Sequence, residues 1–197
     1  MDTFKGYLPD NSVAYIKEIL VKYDIEIKIK SERKTRHGDF RVLSNGNCLI
    51  TINSNLNKYR FLITLIHEIA HLYVYKLFKN SIKPHGLEWK NQFRILILPV
   101  LNPDIFPKVL LPLLANYFKN PKATTDSDIE LVKELKMYDP PTDKNYIYEL
   151  DLGTRFGIYN GKIFKLEKKL TKRYKCIEVE TGKYYLFNAN AEIHKLD

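Results

Sequence analysis

The sequence predicts an α+β fold of two domains, a mixed helix-and-strand domain followed by a smaller all-β domain. Long segments before residue 138 repeat apolar residues at helical spacing, short runs among them alternate with period two, and only short β-like runs follow residue 145. The chain has 197 residues, 45% hydrophobic and 28% charged, a composition that excludes wholesale disorder and collagen-like repeats.

The N-terminal part of the chain predicts one helix and then three strands. Residues 11–23 carry apolar side chains at helical spacing, with Asn11 or Ser12 available as the N-cap. Runs with the period of strands follow at residues 25–30, 40–43 and 48–52. Asn45-Gly46 between the last two runs suits a tight hairpin turn. We therefore expect an amphipathic helix and an antiparallel meander of about three strands.

The middle of the chain predicts helices. Residues 58–78 form the longest helical segment, and since it is apolar on most of its circumference we expect a buried central helix. A second helix is predicted from about residue 86 to Pro99 and a third at about 108–118. Asp126 or Ser127 is the expected N-cap of a last helix that reaches Met137.

The last quarter of the chain predicts a separate β domain. Residues 139–145 contain two consecutive prolines and several polar residues, so we expect a linker there between a domain at 1–138 and another at 146–197. Five short β-like runs occupy the second domain, with Asn160-Gly161 and Thr181-Gly182 as turns. So many short strands in so short a chain predict a small barrel-like sheet.

Charge and cysteine content limit the environment of the protein. The 32 basic and 23 acidic residues give a net charge of +9, with +7 in residues 1–100 and +4 in residues 151–197. This surplus suits either a solvated surface or contact with a polyanion such as DNA. Cys48 and Cys176 are too few for a disulfide framework, and the N-terminus lacks a secretory signal. We expect a cytoplasmic protein without membrane contact.

The chemistry of the sequence is concentrated in His67-Glu68-Ile69-Ala70-His71, an H-E-x-x-H pattern inside the long predicted helix. Residues four apart lie about one turn apart on one helix face, so both imidazoles can bind one zinc ion while Glu68 reaches a water on the metal. Chance gives about 0.008 such matches in this composition. A solvent-exposed polar stripe is the competing interpretation, but the apolar neighbours leave almost no face for solvent.

A catalytic zinc site needs a third protein ligand, for which the sequence offers two candidates. His85 lies in a Pro-Gly turn before the next predicted helix and can fold back over the H-E-x-x-H helix. Glu88, one turn further on, is an alternative ligand or a carboxylate that supports the ligands. Residue chemistry favours His85. A metzincin extension would need Gly and His where the chain has Val74 and Leu77, so that subclass is excluded.

His67-Glu68-Ile69-Ala70-His71 followed by His85-Gly86-Leu87-Glu88-Trp89 resembles the SprT-like family of zinc metallopeptidases, which includes the Spartan proteases that degrade proteins crosslinked to DNA. The run at residues 49–53 also resembles the strand and Asn turn before the metal helix of that family. The resemblance covers about residues 10–100. It implies a zincin-like domain, one Zn²⁺ ion held by His67, His71 and His85, and Glu68 as the catalytic carboxylate.

The C-terminal part departs from the longer members of the family. Many of them carry a zinc ribbon with two Cys-x-x-Cys pairs, which this chain lacks, so it resembles a short bacterial-type member. The β domain is basic and contains aromatic residues, a pattern that suits either nucleic-acid binding or solvated strands. The candidate nucleic-acid contacts are Lys165, Lys168, Lys169, Lys172, Arg173 and Lys175.

These observations lead to a functional hypothesis and two alternatives. The first is a zinc metalloendopeptidase that cleaves a protein or peptide substrate, with Glu68 as general base toward a metal-activated water, and that acts on proteins associated with or crosslinked to DNA. Candidates for stabilising the oxyanion are His37, Tyr73 and Tyr75, and the strand at 48–52 is a candidate edge for aligning substrate. The alternatives are a basic nucleic-acid-binding protein with a structural or vestigial zinc site, and a zinc hydrolase of non-peptide amides.

Overall fold

The computed structural model describes residues 4, 6–23, 25–33, 35–140, 145–171 and 173–196. The chain divides into two compact units, Met1–Pro140 and Pro141–Asp197. The division falls inside the stretch predicted as a linker, of which residues 141–144 lie outside the described residues. Each unit is described by itself below.

The first unit mixes a small sheet with five helices among its described residues. The elements in chain order are α1 (Val13–Val21), β1 (Ile25–Lys30), β2 (Gly38–Val42), β3 (Cys48–Asn53), α2 (Lys58–Phe78), α3 (Leu87–Ile97), α4 (Leu110–Lys119) and α5 (Ile129–Lys136). This order follows the sequence-based prediction of a helix, three strands and then helices. The cap of α5 differs, because the side chain of Asp128 accepts the Leu131 N–H while Thr125–Ser127 form a short 3₁₀ turn before the helix.

The three-stranded sheet has the order β1-β3-β2, which corrects the prediction of an antiparallel meander. β2 and β3 are antiparallel and form the expected hairpin, but β1 runs parallel to β3. The chain after β1 passes to the far side of β3, where Asn53 holds it by donating from Nδ2 to the carbonyl oxygens of Arg33 (3.1 Å) and Arg36 (2.9 Å). These contacts join residues 17 and 20 positions apart, so the periodicity of a strand cannot reveal them.

β3 is the central strand, so the prediction that it is an edge for substrate was wrong. All six residues of β3 are buried, so the chain covers this strand on both faces of the sheet. Cys48 at its start is a buried free thiol, and Cys176 in the second unit is another. Among the described residues, the open edge of the sheet nearest α2 belongs to β2.

α2 is the buried central helix that its apolar circumference predicts. It begins at Asn57, whose side-chain oxygen accepts the backbone N–H groups of Tyr59 (3.1 Å) and Arg60 (2.9 Å). Eleven of its 21 residues are buried. By length and composition this helix could also cross a membrane, but half of its most apolar window is buried inside the protein, and core helices pass the same test.

The second unit is built on one antiparallel sheet. Its strands are β4 (Asn145–Tyr146), β5 (Arg155–Gly157), β6 (Ile163–Lys169), β7 (Arg173–Glu178), β8 (Tyr184–Asn188) and β9 (Glu192–Leu196), in the order β4-β9-β5-β6-β7-β8. Gly161 and Gly182 have φ values of +82° and +69°, which explains glycine at these predicted turns. β4 and β8 do not pair among the described residues, so closure into a barrel remains a prediction.

Candidate metal centre

Three histidines from two elements converge on one point in the first unit. His67 and His71 lie one turn apart on α2, and His85 lies in the turn before α3. Their Nε2 atoms are 3.2 Å apart for His67 and His71, 3.0 Å for His71 and His85, and 3.2 Å for His85 and His67. The structure thus brings together the three histidines that the sequence predicts as ligands.

The spacing of these nitrogens fits a metal ion. Two imidazole nitrogens bound to a tetrahedral zinc ion at 2.0–2.1 Å are separated by about 3.3 Å, close to the observed distances. Three mutually adjacent imidazole nitrogens cannot all be satisfied by hydrogen bonds to one another, since a neutral ring has one donor and one acceptor. The cluster is therefore a group of side chains that can hold a metal ion.

The protein surroundings keep the three imidazoles neutral, which is the state that binds metal. Burial lowers the pKa of His67 well below its ordinary value and lowers that of His71 to about 3. Burial also lowers the pKa of His85. Much of this burial comes from Trp89, which is fully buried and lies 4.6, 5.3 and 4.7 Å, centroid to centroid, from the rings of His67, His71 and His85.

The turn before α3 explains the spacing of His85, Gly86 and Trp89. His85 has a φ of +57°, a left-handed conformation that is unusual for a residue with a side chain and that directs the backbone into α3. A Cβ on Gly86 would lie 2.9 Å from the carbonyl oxygen of Lys83, so the tight turn requires glycine. Trp89, in the first turn of α3, then packs on all three ligand rings.

Glu88 does not join the cluster. The ligand atoms that lie within 4.8 Å of one another belong to the three histidines, and Glu88 is exposed in the first turn of α3. The structure thus favours His85 as the third ligand over Glu88. No hydrogen bond among the described residues joins Glu88 to the histidines, so its supporting role remains a prediction.

Glu68 lies beside the histidine cluster and is 6% exposed. Burial raises its pKa to about 8, and the nearby Asp39 adds to this rise, while a hydrogen bond from the backbone N–H of Phe40 opposes it. Gly38 makes the close approach of β2 possible, because a Cβ there would lie 2.7 Å from Glu68 Oε1 and 2.7 Å from Thr64 Cγ2. No sequence pattern links Gly38 to a carboxylate thirty residues later.

The histidines and Glu68 open into a cleft of about 670 Å³. Its walls come from residues 35–40, from α2, from the turn before α3, and from residues 123–126 between α4 and α5. Of the residues proposed for stabilising an oxyanion, His37 and Tyr75 line this cleft. Tyr73 does not line it and instead packs its ring 4.8 Å from that of Tyr23.

One end of the cleft contains a charged cluster that sequence reasoning missed, apart from His37. The Nε2 of His37 lies 3.0 Å from Asp126 Oδ2, and Nη1 of the buried Arg60 lies 3.1 Å from Asp126 Oδ1. Burial would raise the pKa of Asp126, but the hydrogen bond with His37 and the charge of Arg60 lower it to about 2. Asp126 is therefore ionised at neutral pH. These residues are 23 to 89 positions apart, so no local pattern could group them.

The strand register shows which of the basic residues predicted to contact nucleic acid share a face of the sheet. Lys165 pairs with Ile177 and Lys168 with Lys175 across β6 and β7, after a bulge between Leu166 and Lys168. Directly paired residues share a face, as do alternate residues of a strand, so one face carries Lys165, Lys168, Arg173 and Lys175. Lys169 pairs with Tyr174 and belongs to the other face. Lys172 lies outside the described residues.

The same face carries exposed aromatic and apolar side chains. Tyr184 pairs with Ile177 and Leu186 with Lys175, and these two β8 residues are 57% and 56% exposed. The Nζ of Lys175 lies 3.8 Å from the centroid of the Tyr184 ring. The second unit thus presents a sheet face that carries cations together with an exposed aromatic ring and an exposed apolar side chain.

Comparison with known protein families gives a match to the part of the chain that contains the cluster. The model of the SprT-like family matches residues 13–99, which run from α1 through the sheet and α2 to the end of α3 and include the three histidines, Glu68 and Trp89. No curated protein gives a significant match to the chain. Residues 13–99 of this chain are therefore similar to the SprT-like family, a metallopeptidase-like family.

Proposed function

We propose that the protein is a zinc-dependent metallopeptidase that cleaves peptide bonds of a protein substrate. One observation carries this proposal. Three neutral imidazole nitrogens converge at 3.0–3.2 Å beside the buried carboxyl group of Glu68, and all four groups line one cleft. The match to the SprT-like family supports a metallopeptidase at the general level, and we add zinc as the metal and peptide-bond hydrolysis as the reaction.

The residues of the cleft have separate roles in the proposed reaction. His67, His71 and His85 would hold the ion, and their set of three nitrogen donors is the one that catalytic zinc sites use. Bound zinc supplies Lewis acidity, which lowers the pKa of water and polarises a carbonyl. Glu68 takes a proton from the attacking water and returns it to the leaving amine. A carboxyl group whose pKa lies near neutral pH suits both transfers.

β2 is the element best placed to align a polypeptide in this cleft. Its residues 38–40 line the cleft, and among the described residues it pairs only with β3. An extended substrate can add to such an edge by main-chain hydrogen bonds. This assigns to β2 the role that the sequence predicted for β3.

Replacing Glu68 by Gln tests the proposal. The variant should keep its metal, because the ligand set is unchanged, and should lose peptidase activity by at least about 100-fold because the proton acceptor is gone. Metal content and cleavage of an unfolded protein substrate are the measurements. Glu18→Gln, an exposed position on α1, is the matched control. Full activity of Glu68→Gln would disprove the assignment.

A second candidate function rests on the sheet face of the second unit. We propose that this face binds nucleic acid, because Lys165, Lys168, Arg173 and Lys175 lie on it together with the exposed ring of Tyr184. Cations contact phosphates and aromatic rings stack on bases. In a peptidase this would bring the enzyme to DNA-associated or DNA-crosslinked substrates in the cytoplasm. In the alternative hypothesis nucleic-acid binding is the whole function of the protein, and its zinc site is structural or vestigial.

A mobility-shift assay with single-stranded DNA at several salt concentrations distinguishes these hypotheses. We expect affinity to fall as salt rises and to drop further in Lys165→Glu/Lys168→Glu, while Lys119→Glu/Lys122→Glu in the first unit leaves it unchanged. Binding without a salt slope would contradict phosphate contacts. Binding by a protein whose wild type and Glu68→Gln forms both lack peptidase activity would favour the alternative.

A further inference from the structure

The cluster of His37, Asp126 and Arg60 lies at a definable distance from the metal ligands. Arg60 precedes His67 by seven residues, nearly two helical turns, so the two share a face of α2 about 10 Å apart along its axis. His37 and Asp126 contact Arg60 and line the cleft that also contains His67. An extended polypeptide advances about 3.3 Å per residue, so the axial separation of Arg60 and His67 corresponds to about three residues.

Asp126 determines which ring nitrogen of His37 is left to contact a ligand in the cleft. Its ionised carboxylate can only accept, so the Nε2 of His37 at 3.0 Å donates to it. The Nη1 of Arg60, 3.1 Å from the other carboxylate oxygen, holds Asp126 in place. Nδ1 is the other ring nitrogen, and no hydrogen bond among the described residues uses it. The His37 side chain is 33% exposed.

His37 is also close to the reacting groups through the backbone. It directly precedes Gly38, which packs against Glu68, and its carbonyl oxygen accepts the Asn53 N–H at 2.9 Å. The ring is therefore held by Asp126 and the backbone by β3. A residue whose ring and backbone are both held loses little conformational entropy when it binds a ligand, which favours a binding role for His37.

We propose that His37 is a substrate-binding residue whose Nδ1 forms a hydrogen bond with the main chain of the polypeptide about three residues from the scissile bond. This inference rests on the proposed peptidase function and adds a subsite to it. The ligand class is an extended polypeptide that continues past the metal site toward the Arg60 end of the cleft. Asp126 is the residue that orients His37 for this contact.

A substrate-length comparison tests the subsite. Peptides with one scissile bond are prepared at full length and with either end cut back to two residues from that bond. For wild type we expect one of the two truncations to raise KM by about three- to tenfold, the effect of one hydrogen bond. His37→Ala should raise KM for the full-length peptide by the same factor and leave KM for that truncated peptide unchanged. His194→Gln, in the second unit, is the control histidine.

A purely structural role of His37 would give a different pattern. Equal losses for long and truncated peptides, or no effect of either truncation on wild type, would overturn the proposal. His37→Gln should restore part of the long-peptide preference, because its side-chain amide can donate to Asp126 and form a further hydrogen bond. If His37→Ala loses its metal or its fold, His37→Gln and His37→Asn carry the comparison, since Asn is too short to rescue.

A binding measurement separates this proposal from the peptidase assignment. Fluorescence anisotropy of a labelled full-length peptide is measured with Glu68→Gln and with Glu68→Gln/His37→Ala, where turnover is not needed. We expect about three- to tenfold weaker binding in the double variant. If wild type cleaves nothing but the affinities still differ in this way, the peptidase assignment fails and the subsite stands. Equal affinities overturn the subsite, whatever the activity.

Discussion

The position of the Glu68 carboxyl group depends on Gly38, a neighbouring residue that has no side chain. Gly38 lets the backbone of β2 reach the carboxyl group, and the Phe40 N–H two residues later donates to it. Any Cβ at position 38 would occupy space that Glu68 Oε1 and Thr64 fill. The glycine therefore positions Glu68 without contacting a substrate itself.

Gly38→Ala should therefore reduce catalysis while the metal stays bound. The Cβ would displace the Glu68 carboxyl group, and a displacement of about 1 Å costs on the order of 100-fold in rate. The histidines are not touched, so metal content should match wild type. The measurements are kcat on a peptide and metal content by mass spectrometry.

Gly157→Ala is the matched control for this prediction. Gly157 also lies in a strand, and a Cβ there would meet only Lys162 O at 4.0 Å, an ordinary contact. Its activity should equal that of wild type. An active Gly38→Ala enzyme would show that β2 does not constrain Glu68.

At the scale of the element, the N-terminus of α2 is held by one buried side chain. Asn57 caps the helix and also donates from Nδ2 to Leu135 O (2.8 Å) and to Asp139 Oδ1 (2.6 Å). It thereby ties the start of α2, the helix that carries His67 and His71, to the end of α5. The sequence marks a helix start after Asn57 but gives no sign of contacts about eighty residues away.

Asn57→Ala should destabilise the fold by roughly 2–4 kcal/mol, combining the loss of a cap with the loss of the hydrogen bonds to Leu135 O and Asp139 Oδ1. Urea unfolding of the metal-free protein, followed by the single tryptophan, measures this change. Asn55→Ala, an exposed position in the preceding turn, should change stability by less than about 0.5 kcal/mol. Equal losses in both variants would contradict the assigned role of Asn57.

At the scale of the whole molecule, the candidate ligands belong to one compact unit. His67 and His71 come from α2 and His85 from the turn before α3, so a bound ion would tie these two parts of the first unit together. A ligand that binds only the folded state stabilises it by an amount that grows with the logarithm of the free ligand concentration relative to Kd. The second unit contributes no member of the histidine cluster.

Zinc should therefore raise the unfolding temperature of the first unit. At a free concentration of about 1,000 times Kd the stabilisation is about 4 kcal/mol, or roughly 10 °C for a unit of this size. The chain has one tryptophan, Trp89, which packs on the three histidines, so its fluorescence follows this unit. His71→Ala should lose the shift. A shift of equal size in that variant would mean that zinc binds elsewhere.

The sequence by itself determined the local features of this protein. Apolar periodicity predicted α1, α2 and the short strands, and the spacing of His67, His71 and His85 selected the histidines that meet in space. Such patterns are readable because residues four apart on a helix must share a face, whatever the rest of the chain does. Asn-Gly and Thr-Gly turns were readable for the same reason, since their backbone geometry is local.

Tertiary structure alone decided the arrangement of these parts. The parallel pairing of β1 with β3, the contact of Gly38 with Glu68 and the cluster of His37, Asp126 and Arg60 join residues far apart in sequence. Strand periodicity reports which side chains share a face but is silent about the neighbouring strand and its direction. Packing of the chain around α2 made β2 the open edge beside the metal ligands and formed the cleft in which we propose that a polypeptide is cleaved.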